Sequence, residues 1–154
     1  MRLQDLLTDK VIRIPLQNTE KEKIIEEMID LLEQTKKLRD RNLALAKVLE
    51  RERVMSTGMG EGVAIPHAKT EAVDELVAAF GITSSEVDFQ AIDEKPVRLV
   101  FLLVGPMDPT GPHLQALSRI SRLMHRKDFR DRLIAAHSAE EVIEAIAKEE
   151  QKYI

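Results

Sequence analysis

Apolar residues at Ile24, Ile25, Met28, Leu31 and Leu32 recur at three- and four-residue spacing, the pattern of an amphipathic helix. Thr19 with Glu22 is the sequence form of a capping box, so this helix is predicted to start there and to run to about Leu38. Ahead of it, residues 11–15 read as a short strand. Asp40 can cap a second helix, with Leu43, Ala46 and Leu49 facing inward and Arg51 and Arg53 near its end. Three apolar runs of strand length follow, at 63–65, 76–83 and 97–104, the last two rich in β-formers. Pro66 is expected to end the first run. Residues 88–96 form a polar connector, with a small edge strand predicted at Val87-Asp88-Phe89.

Residues 106–112 read as loop, and Pro112 suits the first position of a helix capped by Gly111 or Thr110. Leu114, Leu117, Ile120, Leu123 and Met124 make the apolar stripe of that helix. A shorter helix is predicted over 128–136. Ser138 with Glu141 is a second capping box, opening a last helix through Val142, Ile143 and Ile146. Two helices, several strands, then three helices suit a sheet with helices packed on its faces. There is no internal repeat, low-complexity stretch or linker, and 154 residues are expected to form one domain, 1–154.

Composition narrows the function. Apolar residues make up 44% of the chain, enough for a real core rather than disorder. The formal charge of −4, with four Phe, one Tyr and no Trp, argues against a nucleic-acid partner. With no cysteine, disulfides, thiolate catalysis and cysteine-based zinc sites are excluded within this chain. The longest apolar run, residues 99–105, is too short to span a bilayer, and the N-terminus has no apolar signal region. The expectation is a soluble cytoplasmic protein without membrane insertion.

The chemistry concentrates at Gly58-Met59-Gly60-Glu61-Gly62-Val63-Ala64-Ile65-Pro66-His67, which holds three of the six glycines. Glycine permits positive φ and close approach, and loops with free N–H groups can cradle phosphate. His67 is thus a titratable ring at the predicted mouth of a strand. Its ordinary pKa of about 6.5 leaves a nucleophilic neutral imidazole near pH 7. His113 falls in the first turn of a predicted helix, where partial positive charge disfavours imidazolium and attracts anions. Arg51 or Arg53 can meet phosphate oxygens as a bidentate fork. Glu61 could orient an imidazole or an arginine, and Lys69 could add charge beside His67. His125 and His137 read as surface residues. The equal spacing of His113, His125 and His137 is not a helical ligand spacing, and no His-Glu-x-x-His occurs, so no metal or other cofactor is expected.

The run from Ser56 to His67 resembles the active-site signature of enzyme IIA domains of the sugar phosphotransferase system, of the fructose/mannitol type that includes stand-alone nitrogen-regulatory members. The resemblance extends over nearly the whole chain and implies an α/β (α+β) fold, a mixed β-sheet flanked by helices on both faces. It implies that His67 takes a phosphoryl group from an HPr-like phosphocarrier, through Nε2, and passes it to a IIB protein. By position in the family pattern, His113 would steady the phosphoryl group, Arg51 rather than Arg53 would be the active-site arginine, and Glu61 the loop glutamate. Family members commonly have glycine where Ala68 stands. Two alternatives remain: a signalling module whose phospho-state governs binding to a regulatory target, and a hydrolase using His67, His113 and Glu61.

Overall fold

The computed structural model describes residues 2–107 and 111–152. Its centre is a pair of long antiparallel strands, β5 (Val77–Val87) and β6 (Val97–Gly105). Nearly all of β6 and the first part of β5 are buried, which is why both read as continuous apolar runs rather than as alternation. Phe80 lies opposite Phe101 in the ladder, ring centroids 4.5 Å apart. β1 (Ile12–Leu16) adds parallel to β5 as an edge strand, a position that tolerates Pro15. The other side of β6 takes β3 (Val63–Ala64), with β2 (Gly58–Gly60) beyond it, and β4 (His67–Lys69). β5–β6 and β2–β3 are antiparallel while the other pairings are parallel, so the sheet is mixed.

Two groups of helices cover the sheet. α2 (Lys21–Glu33) and α3 (Arg41–Val54) pack on each other, α2 against β5 and α3 against β4. The short α1 (Leu3–Leu6) joins α4 (Pro112–Met124), α5 (Lys127–Ile134) and α6 (Ala139–Gln151) in the second group. α1 was not expected from the pattern. It is fixed by a tertiary cap: the buried Glu150 carboxylate accepts hydrogen bonds from the backbone N–H of Leu3 and Gln4 and pairs with Arg119. No helix among the described residues is long and apolar enough to cross a membrane.

Several local expectations are corrected. α2 begins after Glu20 without a side-chain cap, so the Thr19–Glu22 box is not built, and it stops at Glu33, with Lys36 at φ 64°. Asp40 does cap α3, accepting from the Leu43 N–H. The buried positions of α3 are Ala44, Val48 and Glu52, whereas Ala46 is exposed and Leu43 and Leu49 only partly covered. Val87 closes β5 and makes no separate edge strand. In α4 the stripe holds at Ile120, Leu123 and Met124, but at its start His113 and Ala116 are the buried residues, Leu117 is only partly buried and Leu114 is 71% exposed. Gly111 is the residue before α4; the alternative cap, Thr110, lies outside the described residues. The Ser138 hydroxyl accepts from the Glu141 N–H, while the Glu141 carboxylate reaches back to the His137 N–H.

Candidate functional site

The glycine run folds as a hairpin. Gly60 pairs with Val63, leaving Glu61 and Gly62 as its two turn residues, at φ 57° and 81°. Positive φ at both positions is the requirement of a type I′ turn, whose twist matches the strands it joins. Pro66 interrupts the strand it was expected to end. Ala64 pairs with Val100 before it, the Leu103 N–H donates to the Pro66 carbonyl at 3.0 Å, and His67 pairs with Leu103 after it. The chain therefore kinks and stays on β6. His67 opens β4 on a rigid central ladder, rather than hanging at a strand mouth.

The half-buried His67 ring is oriented by its own backbone, Nδ1 lying 2.7 Å from the Ile65 carbonyl oxygen. A carbonyl only accepts, so the proton must sit on Nδ1, and Nε2 keeps its lone pair. Burial is the main force lowering the His67 pKa, and the Arg51 charge adds to it, against the opposing Ile65 carbonyl and Glu52. The imidazole is therefore neutral and nucleophilic at pH 7.

His113 stands beside it, ring centroids 5.6 Å apart. It lies in the first turn of α4 and is 8% exposed, and its pKa is lowered to about 4, by burial first and then by His67 and Lys69. Its buried Nδ1 has no hydrogen-bond partner among the described residues. Gly105, at the end of β6, makes the room: a Cβ there would lie 2.7 Å from His113 Nδ1. The sequence reading missed Gly105, although its position closing the apolar run was visible.

These residues line an open depression of about 500 Å³ between α3, β4 and α4. α3 contributes Lys47, Glu50, Arg51 and Val54, β4 contributes His67 and Lys69, and α4 contributes His113 and Leu117. Arg51 Nη1 donates to the Met55 carbonyl at 2.9 Å, which closes the end of α3. Arg53 faces elsewhere, exposed and paired with Glu22 at 3.3 Å. Val54 is 80% exposed at the rim, and Leu114 follows His113 on α4. Glu61 is not at the imidazole. Its carboxylate is 3.5 Å from Arg130, a buried side chain that also donates to the Met124 carbonyl, and the Ile65 carbonyl performs the orienting. His125 and His137 are exposed, and no group of metal ligands occurs among the described residues.

The sequence model described as phosphoenolpyruvate-dependent sugar phosphotransferase system, EIIA 2, matches residues 5–149. This chain belongs to that enzyme IIA family. The fructose-specific EIIABC component of Bacillus subtilis is 40% identical over 146 residues, 95% of this chain. The chain spans only 23% of that relative's length. A nitrogen regulatory protein of Pseudomonas aeruginosa is 31% identical and matches over 95% of both chains. The crystal structure of nitrogen regulatory protein IIA-Ntr from Neisseria meningitidis superimposes with a TM-score of 0.87 at 35% identity, covering 94% of this chain and 98% of that one. The mannitol IIA protein of Escherichia coli, solved in complex with its phosphorylated IIB, shares the fold with a TM-score of 0.79 at 22% identity, over 92% of this chain and 97% of that one. The mixed sheet and its helices are thus those of the enzyme IIA fold.

Proposed function

We propose that this IIA protein is a phosphocarrier whose His67 accepts a phosphoryl group from a phosphorylated HPr-like protein and passes it to a IIB protein. The observation that carries the reading is the Nδ1–Ile65 carbonyl hydrogen bond, which leaves Nε2 as the free nucleophile of a ring lining an open depression. The Nε2 lone pair attacks phosphorus in line with the donor's phosphorus–nitrogen bond. As that bond breaks, its electron pair returns to the donor imidazole. The proton on Nδ1 stays, held by the carbonyl, so the phosphoryl group rests on a cationic ring and remains a good leaving group for the IIB acceptor. Transfer between imidazoles needs little more than positioning and charge stabilisation. The Arg51 guanidinium and a ring N–H of His113 supply both to the equatorial oxygens. Val54 and Leu114 offer apolar surface for successive partners to dock.

Incubation with phosphoenolpyruvate, enzyme I and HPr should add one phosphoryl group, acid-labile and alkali-stable, as read by intact mass. Labelling that survives His67→Ala would refute the assignment. The likeness to IIA-Ntr, at a TM-score of 0.87, favours a second output, a regulatory target that binds the unphosphorylated form and is released by the added negative charge. Recovery of phosphoryl label on a sugar-specific IIB protein, with no phospho-sensitive target besides donors and acceptors, decides for transport. The hydrolase alternative loses its third member, since Glu61 stands on Arg130 and not beside the two histidines.

A further inference from the structure

Glu52 is a buried carboxylate, 5% exposed, in the last turns of α3 and next to Arg51. It does not line the His67 depression. Its oxygens face the opposite way and are fully engaged. The Thr57 N–H donates to Oε2 at 2.8 Å and to Oε1 at 3.1 Å, and the Thr57 hydroxyl donates to Oε1 at 2.9 Å. Lys21, at the start of α2, adds an ammonium 3.3 Å from Oε1. Holding a carboxylate this deep costs desolvation, which those partners offset, but a simple apolar contact would join α3 to the hairpin without that cost.

What Glu52 grips leads to the nucleophile. The Thr57 carbonyl accepts from the Ile65 N–H at 3.1 Å. The Ile65 carbonyl in turn accepts from His67 Nδ1 at 2.7 Å. Glu52 holds Thr57 through three hydrogen bonds, each later link is one hydrogen bond, and the intervening Thr57 and Ile65 are buried. We propose that Glu52 is a positioning residue for His67: by fixing Thr57 it fixes Ile65, whose carbonyl holds the ring in the tautomer that exposes Nε2. The same residue ties the end of α3, and hence Arg51, to the strand that leads into His67. The nucleophile and the guanidinium thereby keep one relative placement while partners come and go. This inference rests on His67 being the phosphoryl acceptor. The groups facing His67 are Lys47, Glu50 and Arg51 of α3, Lys69 of β4 and His113 of α4, while the charge of Glu52 acts on the ring from behind.

Glu52→Gln keeps the shape and one acceptor for the Thr57 N–H but removes the charge. Three quantities are read on the full chain: circular dichroism for folding, nitrogen NMR for the His67 tautomer and titration, and the rate of phosphoryl gain from phospho-HPr. The folded variant should gain phosphate about tenfold more slowly, the lower end of what is lost when the hydrogen-bond partner that orients a metal-bound imidazole is removed. The share of ring protonated on Nε2 should rise, and the His67 titration should move further to the acid side. A wild-type tautomer overturns the proposal whatever the rate or titration, because loss of the charge alone moves the titration, whereas only a change in how the ring is held moves the tautomer. If Glu52→Gln does not fold, Thr57→Val removes only the hydroxyl donor. It should shift the tautomer in the same sense, and a wild-type tautomer there also overturns the proposal. If the wild-type protein gains no phosphate, the phosphocarrier reading fails, and the tautomer still decides the role of Glu52.

Discussion

His67 and His113 are two imidazoles 5.6 Å apart that must not both be charged, and the fold keeps both neutral by burial. For His113 this has a measurable consequence. Its folded pKa is about 4 against 6.5 for an exposed ring, so the unfolded chain binds the proton first as pH falls. The stability due to the neutral ring is complete above pH 6.5 and is lost between 6.5 and about 4, by up to ~1.4 kcal/mol per pH unit. Urea midpoints measured across that range should fall less steeply in His113→Asn than in wild type; parallel curves would contradict the burial argument. The two arginines separate by direction. Arg51 lines the depression, while Arg53 pairs with Glu22. Arg51→Lys should slow phosphoryl gain by roughly tenfold or more, the worth of a charged hydrogen bond and its bidentate geometry, and Arg53→Lys should leave the rate near wild type. Equal losses in a stopped assay would reverse that assignment. Spacing alone left both arginines candidates; the family resemblance implied Arg51, and on α3 it is Arg51 that lines the depression.

At the scale of elements, the signature is a kinked strand fed by a tight hairpin. The turn needs positive φ at Glu61 and Gly62, and Gly62 sits at 81°. Gly62→Ala should therefore destabilise the fold by about 1–2 kcal/mol, the cost of a left-handed conformation for a residue with a Cβ. Thermal unfolding measures it, and an unchanged midpoint would mean that the hairpin adapts. The glycines and the short apolar run were legible as a loop and a strand. The continuation past Pro66 was not, because a proline normally ends a strand by lacking its N–H. Here the carbonyl of Pro66 keeps the ladder, accepting from Leu103. Helix faces were legible where the period was clean, as in α2 and the later turns of α4, and misread at the start of α4. There His113 takes a buried place that a sequence pattern reserves for leucine, and Leu114 is turned outward. The buried place of His113 needs Gly105, at the end of the preceding strand β6, to leave room for the ring.

For the whole molecule, the sequence by itself determined the order of the longer helices and strands, the central apolar strands, the mixed fold through its family signature, and His67 as the candidate reactive ring. Those are local or periodic properties, set by which residues can be buried and where the backbone can turn. Tertiary structure decided the rest. It brought Arg51, His67 and His113 to one depression from α3, β4 and α4, and it sent Glu61 to Arg130. It chose the Ile65 carbonyl as the partner that sets the His67 tautomer, and Glu52 as the anchor behind it. It held α1 on the carboxylate of Glu150, near the far end of the chain. The role of Ile65 leaves no trace in residue spacing, because a backbone carbonyl has no side chain to recognise. The partners of a buried charge, in turn, are settled by packing and desolvation in three dimensions rather than by neighbours along the chain.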